Sequence, residues 1–169
     1  MELSKKRRRK LQSAVDADYG YRRYQDRDIY VSDRPDKVGC GVFAARQFFP
    51  GELVFEITGQ LIPAKSYDGS TYAMHLDDDW YLEPSIPGAF VNHSCSPNRD
   101  LLQVTDVTNG LIATCNIEEG TELCFDYQWE AQWWIPKCKC GARNCRGWVV
   151  AADQVKKMKR IAGRKKKAR

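Results

Sequence analysis

The sequence predicts a mainly β fold built from small antiparallel sheets. Short apolar or alternating runs recur between residues 28 and 127, and turns rich in glycine, asparagine or proline separate them. Helical spacing is confined to a weak stretch at residues 11–25 and a short one at residues 150–161. At 169 residues, of which 43% are hydrophobic, the chain suits one domain with tails and a real core.

The first predicted strands lie at residues 28–31, 38–44 and 52–57. A turn at residues 32–37 separates the first two, and Pro50-Gly51 separates the second from the third. Residues 52–57 alternate strictly, which is typical of a strand with one buried face. The chain therefore enters the fold through three short strands.

Two hairpins and a last strand are predicted next, at residues 71–76 and 80–82, at residues 101–105 and 111–115, and at residues 122–127. The second hairpin is predicted to turn at Asn109-Gly110, because both residues tolerate positive φ. The spacing of apolar residues between positions 150 and 161 predicts a short basic helix that stops at Gly163.

Charge divides the chain into three blocks. Residues 1–50 carry 12 Lys/Arg against 7 Asp/Glu, residues 51–130 carry 2 against 14, and residues 131–169 carry 13 against 1. An acidic body attracts basic peptides, whereas basic ends can hold a phosphate backbone. The run at residues 5–10 is consistent with a nuclear import signal, a nucleic-acid arm or a solvated tail. From charge alone, a solvated surface is the simpler interpretation.

The composition argues against several classes of protein. The chain has neither a secretory signal nor an apolar run near the ~20 residues that a membrane span needs. Its seven cysteines are an odd number, so a complete disulfide framework is not expected. We expect an intracellular, reducing location without membrane contact: the nucleus in a eukaryotic cell, and the cytoplasm or nucleoid in a bacterial one.

Three separated motifs organise the chain. Residues 92–98 form a polar loop that carries a thiol and Pro97, and a fold tolerates such a loop inside only if its amides and hydroxyls find partners. We expect it to contact residues 122–127 and the cluster Cys138-x-Cys140-x4-Cys145. In order and type, these motifs resemble the SET-domain protein lysine methyltransferases.

The resemblance implies a SET domain at residues 28–131, in which the central loop is threaded beneath a crossing segment in a pseudoknot-like arrangement. A basic segment at residues 1–27 precedes it, a zinc-binding post-SET segment at residues 132–149 follows, and residues 150–169 form a basic tail. One departure concerns residues 87–90, which lack the asparagine and arginine that many members have before the central motif.

The clustered cysteines predict a metal site. Three thiols within eight residues can close on one zinc ion, but a structural site needs four ligands. Unrelated free cysteines are the alternative, which the tight spacing disfavours. Cys40, Cys115 and Cys124 lie in or beside strands, whereas Cys95 lies in the polar loop and is the chemically preferred fourth ligand. The resemblance to post-SET families implies the same set: Cys95, Cys138, Cys140 and Cys145.

The cofactor residues are implied by the resemblance. On its own, Gly39-Cys40-Gly41 indicates a bulge or a close backbone approach, and Ala44 at the third-glycine position excludes the G-x-G-x-x-G dinucleotide motif. In SET domains a G-x-G here lets the backbone contact S-adenosylmethionine. Asn92 and His93 match the cofactor-contacting pair of the central motif. Trp148 matches a post-SET aromatic residue that lies against the cofactor.

Aromatic residues are the candidates for catalysis. Methyl transfer to a lysine amine is an in-line displacement that needs a neutral amine and a dry passage, and aromatic walls suit it. Tyr127 matches the family's catalytic tyrosine. Tyr72 matches a tyrosine of the lysine channel, although most strand tyrosines simply pack on a core. Phe125 occupies a position where the family varies between phenylalanine and tyrosine, which implies a di- or trimethylated product.

The first hypothesis is therefore an S-adenosylmethionine-dependent protein lysine methyltransferase that acts on a basic protein, such as a histone or DNA-packaging protein. The second is a catalytically silent SET-like module that binds chromatin or nucleic acid through its basic ends. Intact Tyr127 and Asn92 favour the first. A third hypothesis, a small zinc module bound to RNA, leaves the middle eighty residues unexplained.

Overall fold

The computed structural model describes residues 24–34, 39–67 and 72–167. Within these ranges the chain forms ten short strands in four small sheets, and one α-helix. The elements are β1 (Ile29–Asp33), β2 (Cys40–Ala44), β3 (Leu53–Ile57), β4 (Gly59–Pro63), β5 (Met74–His75), β6 (Trp80–Pro84), β7 (Asn92–His93), β8 (Arg99–Thr105), β9 (Thr108–Ala113), β10 (Cys124–Phe125) and α1 (Val155–Lys167). The predicted mainly β architecture with a short C-terminal helix is confirmed. The weak helix prediction at residues 11–25 falls almost entirely outside the described residues. The basic run at residues 5–10 lies wholly outside them.

Three of the four sheets are antiparallel, as predicted. β1 pairs with β2, β9 lies between β3 and β8, and β6 lies between β4 and β5. The fourth sheet pairs β7 with β10 in parallel, with Asn92 opposite Cys124 and His93 opposite Phe125. This two-residue ladder brings the central loop against residues 122–127, so the smallest sheet positions the candidate site.

The polar loop finds the partners that its burial requires. The side-chain amide of Asn98 donates to the Glu122 carbonyl at 3.0 Å, and its Oδ1 accepts from the Cys124 N–H at 3.1 Å. The Thr114 N–H donates to the Asn98 carbonyl at 3.1 Å. Asn98 therefore holds the loop to two other segments at once.

The β8–β9 hairpin turns three residues earlier than predicted. Its turn residues are Asp106 and Val107, and Asn109 and Gly110 lie within β9. A Cβ at Gly110 would lie 2.5 Å from Val104 Cγ2, so glycine is needed there for close packing across the strands. The turn prediction is wrong because the glycine serves the sheet and not the turn.

Two further elements differ from the predictions. In β3, Val54 is buried and Leu53 is 45% exposed, because a register shift between Leu53 and Phe55 breaks the strict alternation. Helix α1 begins later than predicted and continues through Gly163 to Lys167. A glycine inside a helix costs only ~1 kcal/mol, which is too little to end it here.

Strand lengths were also predicted imperfectly. β5 and β10 contain two residues each, where six were predicted at residues 71–76 and 122–127, and residue 71 lies outside the described residues. β4 was not predicted, since it begins with Gly59 and ends with Pro63, two residue types that are depleted in strands.

Two apolar clusters form the core. The larger one joins the sheets through buried residues such as Ile29, Val42 and Leu111. The smaller one, here the C-terminal cluster, consists of Ala131, Ile135, Val149, Val150 and Met158. Tyr127 packs against both clusters, so it lies where the strand core meets the C-terminal segment.

Arg99 is an exception within the core. It is fully buried at the start of β8, and no nitrogen of its guanidinium has a hydrogen-bond partner in the part of the chain that the structure describes. Burial lowers the pKa of Arg99 to about 10, and the thiols of Cys124 and Cys115 act in the opposite direction. An unpaired buried cation destabilises a fold.

Among the described residues, no helix is long and apolar enough to cross a membrane.

Candidate active site and metal centre

A cavity of about 630 Å³ opens between the sheet of β4, β6 and β5 and the chain that follows β10. Its aromatic lining comprises Tyr67, Tyr72, Tyr81, Phe125, Tyr127, Trp129 and Trp134. The rings of Tyr67 and Tyr81 stack with centroids 4.1 Å apart, and those of Tyr127 and Trp129 lie 5.0 Å apart. Such walls hold an alkyl chain and attract a cation at its end.

Tyr127 lines this cavity, two residues after the end of β10 at Phe125. Its hydroxyl donates to the Val91 carbonyl at 2.8 Å, and its backbone N–H donates to Nδ1 of His93 at 3.3 Å. Burial raises the pKa of the Tyr127 hydroxyl, and the nearby Tyr72 raises it further. The hydroxyl therefore stays protonated through neutral and mildly alkaline pH.

The other two predicted catalytic residues line the same cavity. Phe125 is 5% exposed in β10, and its ring centroid lies 4.9 Å from that of Tyr127. Tyr72 is 49% exposed and lies at the mouth. The structure thus brings together all three residues that the sequence grouped as catalytic.

A second group of predicted residues meets at the start of β2. The side-chain amide of Asn92 donates to the Cys40 carbonyl at 2.9 Å and to Oε1 of Glu122 at 3.0 Å. Gly39 has a φ of +93°, a conformation that favours glycine, and a Cβ at Gly41 would lie 3.3 Å from the Asn92 amide nitrogen. Gly41 therefore lets the Asn92 side chain pack against the backbone of β2, and the backbone at Gly39 is left open.

Arg34 and Glu122 belong to this second group, and the sequence did not single out either. Nη2 of Arg34 donates to Oε2 of Glu122 at 3.1 Å, and Nε lies 2.6 Å from Oε1. The pair is 88 residues apart along the chain, so no local pattern could have predicted it.

His93 and Trp148 are placed differently from the other predicted cofactor residues. The His93 ring lies between Asp126, 3.5 Å from Nδ1, and Sγ of Cys95, 3.4 Å from Nε2. Burial lowers the pKa of His93, against the raising effect of Asp126. Trp148 packs against the C-terminal cluster, with Nζ of Lys137 3.5 Å from its ring centroid. The His93 ring is therefore engaged by contacts within the protein.

The four predicted metal ligands converge. The sulfurs of Cys95, Cys138, Cys140 and Cys145, here the four-thiol group, all lie within 4.8 Å of one another. Those of Cys95 and Cys138 are 3.7 Å apart, close to the ~3.8 Å that two sulfurs ~2.3 Å from one tetrahedral zinc ion must have. Burial raises the pKa of both thiols, so a metal ion that binds them must displace their protons. The donor set fits zinc.

Arg146 joins the four-thiol group to the segment that carries Asp126 and Tyr127. Its guanidinium makes two hydrogen bonds to the Asp126 carboxylate, Nη1 to Oδ2 at 2.6 Å and Nη2 to Oδ1 at 2.7 Å. Its backbone N–H lies 3.4 Å from Sγ of Cys95. Asp126 precedes Tyr127, so Arg146 ties the residue next to this tyrosine to the cysteine-rich segment at residues 138–145. The sequence offered no signal for this pairing beyond opposite charges in two motifs.

Comparison with known proteins agrees with this arrangement. Residues 39–128 match the family profile described as "SET domain", which is more than half of the chain. The chain belongs to the SET-domain family. The match includes the open backbone at Gly39, the central loop and Tyr127, and it stops before the clustered cysteines of the C-terminal segment.

Curated relatives of this SET domain are histone-lysine N-methyltransferases by name. Set2 of Drosophila melanogaster is 30% identical over 138 residues, which cover 69% of this chain and 6% of the relative. SETD2 of Homo sapiens is 30% identical over 174 aligned positions, which cover 86% of this chain and 7% of the relative. The chain thus spans less than a tenth of the length of these two relatives.

Solved structures share the SET fold. KRYPTONITE in complex with mCHH DNA, an H3(1–15) peptide and SAH superposes with a TM-score of 0.62 and 23% identity, covering 76% of this chain and 31% of that one. A second KRYPTONITE complex, with mCHG DNA and SAH, gives a TM-score of 0.61 and 24% identity over 72% of this chain and 29% of that one. The predicted SET fold is confirmed.

Proposed function

We propose that this SET domain transfers a methyl group from S-adenosylmethionine to a lysine side chain of a basic protein, such as a histone or DNA-packaging protein. The observation that carries the proposal is the aromatic cavity, which ends at the buried hydroxyl of Tyr127 with Phe125 beside it. The names of the relatives support the reaction class.

The cavity suits a neutral lysine amine. Burial between aromatic rings disfavours the ammonium form and lowers the pKa of an inserted lysine. The Val91 carbonyl and the Tyr127 hydroxyl are hydrogen-bonding groups at the inner side of the apolar walls, and the carbonyl can accept a hydrogen bond from the amine. Together they orient the nitrogen for an in-line approach, and the proton that the amine loses passes to water.

S-Adenosylmethionine, when bound, supplies an activated methyl group. We assign its binding to Gly39, Cys40, Gly41, Asn92, His93 and Trp148. At Gly39 nothing lies within 4 Å of the Cβ position, so the backbone there is open to a ligand. At Gly41 a Cβ would lie 2.9 Å from Oε1 of Glu122 and 3.3 Å from Nδ2 of Asn92, so glycine lets these two side chains pack against the backbone. The Arg34–Glu122 pair holds the Asn92 amide in place through Oε1 of Glu122.

We assign one zinc ion to the four-thiol group. It would join the loop that contains Cys95 to the segment that contains the other three thiols, and so hold the C-terminal wall of the cavity. His93 supports this assignment. Its Nδ1 accepts the Tyr127 N–H at 3.3 Å, and its Nε2 lies 3.4 Å from the Cys95 sulfur, so the ring joins the four-thiol group to the segment that carries Tyr127.

The substrate class follows from charge. Residues 51–130, which include most of the cavity lining, carry 2 basic and 14 acidic residues, so a basic peptide is attracted to this surface. The KRYPTONITE structure contains a histone peptide and DNA, which is consistent with a chromatin substrate and nucleic-acid contact for this chain as well. We infer a nuclear or nucleoid site of action.

Phe125 offers no hydroxyl to retain a water molecule, so we infer a di- or trimethylated product.

The proposal is tested by equilibrium dialysis with S-adenosylmethionine and by methyl transfer to peptides. Binding should weaken in Gly41→Ala, whose Cβ would crowd Asn92. Transfer to a basic peptide should exceed transfer to a neutral one and should fall as salt rises, because salt screens exposed charges. Cofactor binding without transfer to any lysine peptide would support the catalytically silent module instead.

A further inference from the structure

Helix α1 carries a basic face that the proposed site does not use. Its thirteen residues contain no acidic side chain. Met158 is 2% exposed and Ile161 packs against the C-terminal cluster, so the rotation of the helix about its axis is fixed by the core. The opposite face is therefore presented to solvent as part of the fold.

Five basic side chains occupy that face: Lys156, Lys157, Lys159, Arg160 and Arg164. At 100° per residue they fall, with Gly163, in one sector of about 160° that contains no other residue between Val155 and Arg164. At ~1.5 Å per residue, the row from Lys156 to Arg164 is about 12 Å long. Within the described residues, none of the five forms an ion pair, so their charges are not compensated.

We propose that this basic face of α1 binds the phosphate backbone of a nucleic-acid duplex. A duplex carries one negative charge per ~1.7 Å of axis, so about seven phosphates lie within the length of the row. A lipid surface fits less well, because a helix that lies in a membrane inserts its apolar face, and here that face is buried in the protein.

The position of α1 relates this surface to the aromatic cavity. Trp129 and Trp134 line the cavity and also pack against the C-terminal cluster that anchors α1. The Ala151 N–H donates to the Trp129 carbonyl at 2.9 Å, and Oε1 of Gln154 accepts from the Ala131 N–H at 3.4 Å. A duplex on α1 would therefore lie behind one cavity wall. If the proposed methyltransferase function holds, on which this step rests, the enzyme selects lysines of basic proteins that are already bound to nucleic acid.

The experiment measures fluorescence anisotropy of a labelled 20-base-pair DNA duplex with the full chain over a series of salt concentrations. The double variant Lys156→Gln/Arg160→Gln removes two charges from the basic face of α1. We expect its affinity to fall about 30-fold at 0.15 M salt and the slope of log K against log salt to become shallower by about 2. A matched control, Arg27→Gln/Lys65→Gln, removes two exposed charges elsewhere and should leave both values within about twofold of the wild type.

Three further measurements complete the test. Arg7→Gln/Arg8→Gln removes two charges from the N-terminal basic run. A loss of binding in this variant, with unchanged binding in the α1 variant, would overturn the proposal. Vesicles with anionic lipids are the second probe, and binding to them that equals duplex binding and depends equally on α1 would also overturn it. Methylation of a free basic peptide should be unchanged in the α1 variant. A wild-type chain that binds the duplex but methylates no peptide would contradict the proposed function and leave the duplex site standing.

Discussion

The ion pair between Arg146 and Asp126 is expected to couple the four-thiol group to the segment that carries Tyr127. Its two hydrogen bonds, at 2.6 and 2.7 Å, are short and bidentate, and the side chains are 14% and 12% exposed. Exposed ion pairs contribute under about 1 kcal/mol, whereas removing one partner of a buried pair costs about 3–5 kcal/mol. For a pair that is mostly but not fully buried we expect a coupling energy of about 2 kcal/mol, or roughly 30-fold in an equilibrium constant.

The measurement is a double-mutant cycle with Arg146→Met and Asp126→Asn. Each variant is unfolded in urea while tryptophan fluorescence is recorded, and kcat is measured on a basic peptide. We expect each single variant to lose stability and kcat, and the double variant to lose little more than either single one. Arg143→Met is the matched control, because Arg143 lies exposed in the same segment.

Zinc content is measured in every variant of the cycle, so that loss of the ion pair is separated from loss of the metal. Additive effects of the two substitutions, with zinc retained, would refute the coupling. A loss of kcat in Arg143→Met as large as that in Arg146→Met would show that any substitution near the clustered cysteines lowers kcat.

Three further predictions concern single residues. Cys95→Ser should lower the zinc content measured by elemental analysis, and retention of a full equivalent of zinc would remove Cys95 from the ligand set. Phe125→Tyr should shift the product toward monomethyl-lysine, because a hydroxyl beside Tyr127 retains a water molecule where a methylated amine must turn. Mass spectra recorded with excess cofactor measure the product, and a wild-type enzyme that stops at one methyl would contradict this prediction. Arg99→Met should raise the free energy of unfolding in urea by about 1–4 kcal/mol, since it removes a buried unpaired cation, and a loss of stability would show that the guanidinium has a partner.

The sequence was most informative where chemistry is local. The spacing of Cys138, Cys140 and Cys145 depends on neighbours a few residues apart, and the need for a fourth thiol pointed to Cys95. In the structure these four sulfurs lie together. The central loop was also identifiable, because a polar stretch without charged residues needs internal partners, and Asn98 supplies several of them.

Contacts between distant segments could not be predicted. Arg34 meets Glu122 across 88 residues, and Arg146 meets Asp126 across 20, with no periodicity to connect either pair. The parallel ladder of β7 and β10 is two residues long, which is too short to leave a pattern in the sequence.

Glycine misled the prediction twice, and for two different reasons. Gly110 was interpreted as a turn residue, but it is needed because the side chain of Val104 approaches its backbone from the neighbouring strand. Gly163 was interpreted as a helix stop, but Met158 and Ile161 anchor α1 through packing, and that packing outweighs a small helix propensity cost. In both cases tertiary contacts decided what the local signal meant.

The central claim is that the aromatic cavity is a lysine channel served by Tyr127. The most direct test incubates the chain with methyl-labelled S-adenosylmethionine and a mixture of basic proteins, followed by mass spectrometry of every labelled product. We predict label on lysine side chains of a basic protein, and its near-complete loss in Tyr127→Phe with cofactor binding close to that of the wild type. Absence of labelled lysine with the wild-type chain, or undiminished labelling with Tyr127→Phe, would contradict the claim.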